Sequence, residues 1–294
     1  MTPATATAAA TLLYALVFCL FLLYAYRFFF PSPATREGFT QTSPFVLKLN
    51  DEIYDAFYME VYDKLYVPAR GAASLSRAIE RLPYAKKKLP CMIVSDTGNL
   101  MNSLRDRGFA DAHTVNKSAD AVAYMRGKYR DNVTYGDISS TMCFDNGAFA
   151  SFVFADLALY RAEPEKRRTI LGNVRHWLTP HGILLVHLVD RQRFDTVLPA
   201  ASQFMDLQKY TSERITVNEV EFDSFSYLNS YEFAENRVVR TETFTDKATR
   251  FVRKNEQTFF MPTVRDTVLE ICACGFAVKQ KKLFRGTETF CIYL

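Results

Sequence analysis

The side chains best suited to chemistry stand at the ends of apolar runs. Ser95, Asp96 and Gly98 follow the run Cys91–Val94, Asn116 follows residues 112–115, Asp137 follows residues 132–135, and Asp156 and Tyr160 follow residues 149–155. A ligand in a parallel sheet sits at the carboxyl ends of the strands, where the strand order reverses. A glycine there lets the backbone approach the ligand and open a helix. Carboxylates and amides take hydroxyl and amino groups. Each residue also has a plainer role: Asp96 as the N-cap of the next helix, Asn116 as a turn residue, Asp137 as a loop aspartate and Phe144 as core. Metal chemistry is not expected, because His176 and His181 lie five apart across a helix end and Cys272 and Cys274 have one residue between them. His187 alternates into an apolar strand and reads as a core histidine. No Ser-His-Asp order, P-loop or zinc pattern occurs.

These residues need an alternating scaffold, and the periodicity supplies one. Apolar strands are expected at 91–94, 112–115, 132–135, 149–155 and 183–189. Between them lie helices expected at 99–107, 118–129 and 164–178, the last with Ile170, Leu171, Val174, Trp177 and Leu178 on one face. Continuous apolar strands separated by helices imply a parallel sheet covered on both faces. Upstream, a helix is expected over 49–66, capped by Asn50 or Asp51. Its Tyr54, Tyr58, Tyr62 and Tyr66 recur every four residues as one stripe. A second helix is expected near 75–82. Downstream come a helix within 197–210, alternating antiparallel strands over 214–261, a helix over 263–274 with Thr263 as N-cap and Gly275 as C-cap, and a closing hairpin around Arg285 and Gly286.

The composition is that of a globular chain with an unusual head. Of 294 residues, 23% are charged and the net charge is +4, which excludes wholesale disorder and is too small and dispersed to suggest a nucleic-acid partner. No charged side chain precedes Arg27. Residues 8–26 contain one polar residue, Thr11, and as a helix would span roughly 28 Å, close to a bilayer's hydrocarbon thickness. They read as a membrane anchor with the lipid bilayer as partner, within an anchor segment 1–30. A cleaved signal peptide is the competing reading, opposed by the absence of Lys and Arg from the first ten residues. Arg27 and Arg36 after the span place the C-terminal part in the cytosol by the positive-inside rule. The six cysteines fall mostly in apolar runs and fit a reducing compartment. Residues 31–48, rich in Pro, Ser and Thr, read as a linker, and 49–294 as one domain with an antiparallel insertion around 214–261.

The order of elements resembles class I S-adenosylmethionine-dependent methyltransferases. The stretch from Phe149 through Phe154-Ala155-Asp156-Leu157-Ala158-Leu159-Tyr160 is similar to the family's fourth strand and its exit. Trp177-Leu178-Thr179-Pro180-His181-Gly182 resembles the turn into its fifth strand, and Cys274-Gly275-Phe276 the helix end before its sixth. The resemblance implies a Rossmann-like sheet, mostly parallel with a closing antiparallel hairpin, and S-adenosylmethionine as cofactor without a metal. It assigns cofactor contacts to Tyr58, Ser95, Asp96, Gly98, Asn116, Asp137 and Phe144, and places Asp156 and Tyr160 near the methyl acceptor. The glycine-rich turn departs from the family. Met92 stands where an acid is usual, Val94 and Asp96 replace the first two glycines, and only Gly98 remains. Asn116 replaces the acid that takes the ribose hydroxyls, while Asp137 matches the acid near the adenine.

Two functions follow as expectations. One is a membrane-anchored methyltransferase acting on an unidentified acceptor, with the segment 214–261 as substrate wall. The other is an inactive methyltransferase-like scaffold or structural membrane component, of a virion or organelle membrane, suggested by the altered turn.

Overall fold

In a computed structural model, the structure describes residues 14, 16–19, 41–66, 68–82, 87–194, 196–198, 214–284 and 288–293. The chain divides into two units, Met1–Thr40 and Gln41–Leu294. In the second unit a seven-stranded sheet runs in the order β11-β12-β6-β5-β2-β3-β4. Its strands are β2 (Cys91–Val94), β3 (Ala112–Asn116), β4 (Val133–Tyr135), β5 (Phe149–Phe154), β6 (Leu178–Val189), β11 (Val278–Phe284) and β12 (Glu288–Tyr293). β2 to β6 pair in parallel, and β12 runs antiparallel to β6 and to β11. The expected mostly parallel sheet with an antiparallel closing hairpin is present.

The helices lie where periodicity placed them, with shifted ends. They are α1 (Ala56–Tyr66), α2 (Pro68–Glu80), α3 (Asn99–Arg105), α4 (Ala119–Tyr129), α5 (Pro164–Trp177) and α6 (Val264–Ala273). Ser118 caps α4 and Thr263 caps α6, each accepting a backbone N–H. Gly275 adopts φ +89 at the end of α6. The first helix begins later than expected, because residues 50–53 wind as a 3-10 turn and Asp55, not Asn50 or Asp51, takes the Tyr58 amide at 3.1 Å. Pro180, His181 and Gly182 form no separate turn; β6 runs through them while its register against β5 shifts between Phe149 and Ser151. The helix expected within 197–210 falls almost wholly outside the described residues.

A second sheet of five strands has the order β1-β10-β9-β8-β7, built from β1 (Phe45–Leu49), β7 (Val217–Glu221), β8 (Phe225–Phe233), β9 (Arg237–Asp246) and β10 (Val252–Phe260). Strands β7 to β10 are the expected antiparallel insertion. β1 lies in the stretch that composition marks as linker, and it pairs in parallel with β10. Its alternation spans only five residues after Pro44, too short a signal to read as a strand.

The expectation of a single membrane pass with the domain facing the cytosol is corrected here. Among the described residues no helix is long and apolar enough to cross a membrane. The stretch taken as the span lies outside the described residues except for Tyr14 and residues 16–19, which are helical and exposed.

The core packs Phe152, Phe154, Leu171, Val174, Leu184 and Val186 between β5, β6 and α5. One charged residue organises its edge. Arg167 on α5 is fully buried and spends its guanidinium on Glu270 of α6 (2.9 Å) and on the carbonyls of Phe260 (2.6 Å), Ala162 (3.1 Å) and Leu159 (3.3 Å). One side chain thus joins the turn after β5, the end of β10 and two helices. Arg167→Met leaves three carbonyls and a carboxylate without their donor, and is expected to cost about 3–5 kcal/mol, read as a lower urea midpoint. A change under about 1 kcal/mol would contradict this role.

Candidate active site

The β2 strand connects outward to β3 and β4, and the chain returns to β5 on the other side of β2. This reversal opens a crevice at the strand ends. A cavity of about 300 Å³ occupies it, lined by Val94 and Ser95 of the first turn, Val115, Asn116 and Lys117 of the second, and Gly136, Asp137 and Ile138 of the third. The other walls are Asn50, Asp51 and Tyr54 before α1, Ala158, Arg161, Ala162, Glu163 and Lys166 after β5, Ile170 of α5, and Phe260 at the end of β10. The second sheet therefore reaches the cavity.

Of the expected cofactor residues, Ser95, Asn116 and Asp137 come together on this cavity. Ser95 Oγ is buried and has no hydrogen-bond partner among the described residues. Asn116 Oδ1 accepts the Ser118 amide at 2.8 Å, which is the turn role, and leaves its Nδ2 for the cavity. Asp137 Oδ1 accepts the amide (2.8 Å) and hydroxyl (2.7 Å) of Ser139, while Oδ2 lies 3.9 Å from Lys166 Nζ. Burial pushes the Asp137 carboxyl up, but the Ser139 bonds, Lys166 and Lys117 outweigh it, and the net shift is downward. Lys117 is itself paired with Asp51 at 2.5 Å across the cavity mouth.

The remaining expected residues lie elsewhere. Gly98 sits at φ +72 before α3, and a Cβ there would come within 3.1 Å of the Tyr129 ring; it is kept for the turn and for packing. Phe144 meets Phe149 and Trp177 edge-on at 5.0 and 5.1 Å. Tyr58 is buried under the second sheet, its hydroxyl accepting from Arg240 at 2.8 Å. Tyr160 is fully buried, its hydroxyl between the amide (3.3 Å) and carbonyl (3.4 Å) of Val189. Asp156 is exposed, and neither it nor Tyr160 lines the cavity.

Asp96, where the resemblance implies a glycine, is wholly engaged. Its Oδ1 accepts from Tyr54 (2.9 Å) and Arg161, and its Oδ2 from Tyr62. Tyr54 in turn accepts from Gln257 at 3.2 Å, and Gln257 accepts from Arg240 at 2.8 Å. Arg240 lies 3.5 Å from the Glu242 carboxylate, which also takes the hydroxyls of Tyr66 and Tyr227 at 2.7 Å. The tyrosine stripe thus carries two buried ion pairs, Asp96–Arg161 at the cavity and Arg240–Glu242 in the second sheet.

Arg161 and Tyr54 are cavity residues that the sequence reading did not single out for this role. Arg161 is the one cation in the stretch from Leu157 to Ala162, and Asp96 the one carboxylate in the turn after Val94. Opposite charges at two strand exits were the available signal. Arg161 is positioned by strain and by anchors. Asp156 and Leu157 take φ +49 and +60, turning the chain sharply after β5. Tyr160 and the Arg167 bonds to Leu159 and Ala162 then pin the turn from both sides.

Burial, chiefly, holds the hydroxyls of Tyr54, Tyr58, Tyr62, Tyr66 and Tyr227 well above their ordinary pKa of 10.0. Their protonated forms favour the folded state. That contribution is intact below pH 10 and is lost as pH rises beyond it, by about 1.4 kcal/mol per pH unit for each tyrosine that ionises only on unfolding. Urea midpoints should hold up to pH 10 and fall steeply above it, with a shallower fall in Tyr58→Phe. A midpoint unchanged to pH 11 would contradict the burial of these hydroxyls.

No family model matches the sequence, and no curated protein matches it. Solved structures do resemble it. An S-adenosylmethionine-dependent methyltransferase from Clostridium acetobutylicum is 13% identical with a TM-score of 0.56, over 80% of this chain and 96% of its own. The sugar N-methyltransferase KedS8 from Streptoalloteichus is 16% identical with a TM-score of 0.58, over 79% and 92%. CalS10, an amino pentose methyltransferase from Micromonospora echinaspora whose structure contains S-adenosylmethionine, is 15% identical with a TM-score of 0.52, over 82% and 98%. The fold is that of class I S-adenosylmethionine-dependent methyltransferases.

Proposed function

We propose that the chain is an S-adenosylmethionine-dependent methyltransferase that holds its cofactor in the strand-end cavity. The observation that carries this is the convergence of Ser95, Asn116 and Asp137 on one cavity at the switch in strand order. The group fits the residues present. Ser95 Oγ is a buried polar atom with no protein partner among the described residues. Asn116 Nδ2 would meet a ribose hydroxyl, and Asp137 Oδ2 would accept from the adenine amino group. When bound, the cofactor supplies an electrophilic methyl group.

The chain's own contribution is placement. Val94, Val115, Ile138 and Ile170 give the cavity apolar walls, and Phe260 brings the second sheet to its rim, the side from which an acceptor is presented. Bringing acceptor and methyl together in line is the main source of rate for such a transfer. The acceptor itself is unassigned.

The test is calorimetry of the full chain with S-adenosylhomocysteine. Saturable binding is expected, weakened about tenfold or more by Asp137→Ala. Asn116→Asp keeps the Ser118 bond and adds a charge-assisted contact to the ribose, so it should tighten binding about five- to tenfold. No heat at millimolar ligand would overturn the proposal. Binding without methyl transfer to any acceptor tried would favour the inactive scaffold.

A further inference from the structure

We propose that Arg161 is the carboxylate anchor of this cavity, recognising the α-amino-acid tail of an adenosyl ligand, and that Asp96 is the residue that positions it. The inference rests on the cavity holding an adenosyl ligand and adds what selects among such ligands.

Arg161 lines the cavity, with its side chain 15% exposed. Its recorded hydrogen bonds, to Asp96 Oδ1 and Tyr54 Oη, both leave from Nη1. Nε and Nη2 make no hydrogen bond among the described residues. An arginine offers five N–H donors in a planar fork, and the edge formed by Nε and Nη2 matches the two oxygens of a carboxylate. One edge of the guanidinium is thus bound into the protein and another is left for a planar anion.

Asp96 fixes which edge is which. Both of its oxygens are occupied, by Tyr54 and Arg161 on one side and Tyr62 on the other, and its side chain is 8% exposed, so it cannot itself receive a ligand amine. It holds the guanidinium from behind. Ser95, its neighbour in the chain, presents a buried Oγ with no partner among the described residues at the same cavity, suited to an ammonium donor. A carboxylate donor set at Arg161 and an acceptor at Ser95 Oγ together describe a zwitterionic amino-acid tail, with the ribose and base at Asn116 and Asp137. On this account the altered glycine turn is a substituted anchor: Asp96 gives up backbone approach and in return holds an arginine.

The experiment compares S-adenosylhomocysteine, which has the tail, with 5′-methylthioadenosine, which lacks it, by calorimetry on the full chain. The wild type should bind the homocysteine compound at least about tenfold more tightly. Arg161→Met should weaken that ligand about tenfold or more and leave methylthioadenosine within about twofold, so the ratio collapses. Because Arg161→Met leaves Asp96 buried without its cation, the double variant Asp96→Asn/Arg161→Met, which removes both charges, is measured beside it and should give the same collapse. Asp96→Asn alone should lower the ratio about threefold or more with methylthioadenosine binding retained, since the arginine remains but is less firmly held. If the wild type binds both ligands equally, or the ratio survives both Arg161 variants, the anchor role is overturned while the adenosyl cavity stands. If the wild type binds neither, the cavity's function falls and this inference falls with it.

Discussion

The architecture depends on hydroxyl groups that must find partners out of water. A buried hydroxyl or charge without a partner costs several kcal/mol, so Tyr54 just before α1 and Tyr58, Tyr62 and Tyr66 on it demand a polar interior to meet them. The chain meets them with two opposite-charge pairs. Asp96–Arg161 belongs to the parallel sheet, Arg240–Glu242 to the antiparallel one, and Tyr54 and Gln257 connect the two. The formal charges cancel within each pair, so no net charge is buried. The interface between the sheets is thus specified by a directional network, which fixes orientation in a way that apolar packing does not.

That network accounts for the residues found at the strand-end turn. A glycine is kept where φ is +72 and the neighbouring Tyr129 and Met125 leave no room, which is Gly98. Where the backbone has no such demand, Val94 and Asp96 stand instead. Asp96 does not contact the cavity. It serves the arginine behind the cavity wall, and through Tyr54 and Tyr62 it ties that wall to α1.

Much of the parallel scaffold could be read from the chain, because continuous apolar strands and 3.6-residue stripes report directly on burial. The antiparallel insertion was legible too, since β9 and β10 alternate cleanly between buried and half-buried residues. Three of the seven expected cofactor contacts, Ser95, Asn116 and Asp137, reach the cavity. They are residues at strand ends, where topology alone decides position. The others depended on where a side chain points after a turn. Tyr58 and Tyr54 share one stripe, and periodicity does not say which of them reaches the cavity. Tyr160 and Arg161 are adjacent, and only the left-handed pair Asp156–Leu157 sends the phenol into the core and the guanidinium to the cavity. The membrane expectation rested on composition alone, and among the described residues no helix is long and apolar enough to cross a membrane.

The parallel pairing of β1 with β10 sets an order on the protein's assembly. The Arg253–Asp55 clamp at this seam joins residues 198 positions apart, whereas β7 to β10 close as successive hairpins with neighbours in the chain. Local hairpins form early, and closure of so long a loop is entropically late. On the ribosome, the first strand and the tyrosine helix emerge while Arg240, Gln257 and Arg253 are still unmade. The polar stripe that ends up sealed between the sheets therefore spends most of synthesis in water, where its hydroxyls are satisfied, and is dehydrated only when the last third of the chain arrives to cover it.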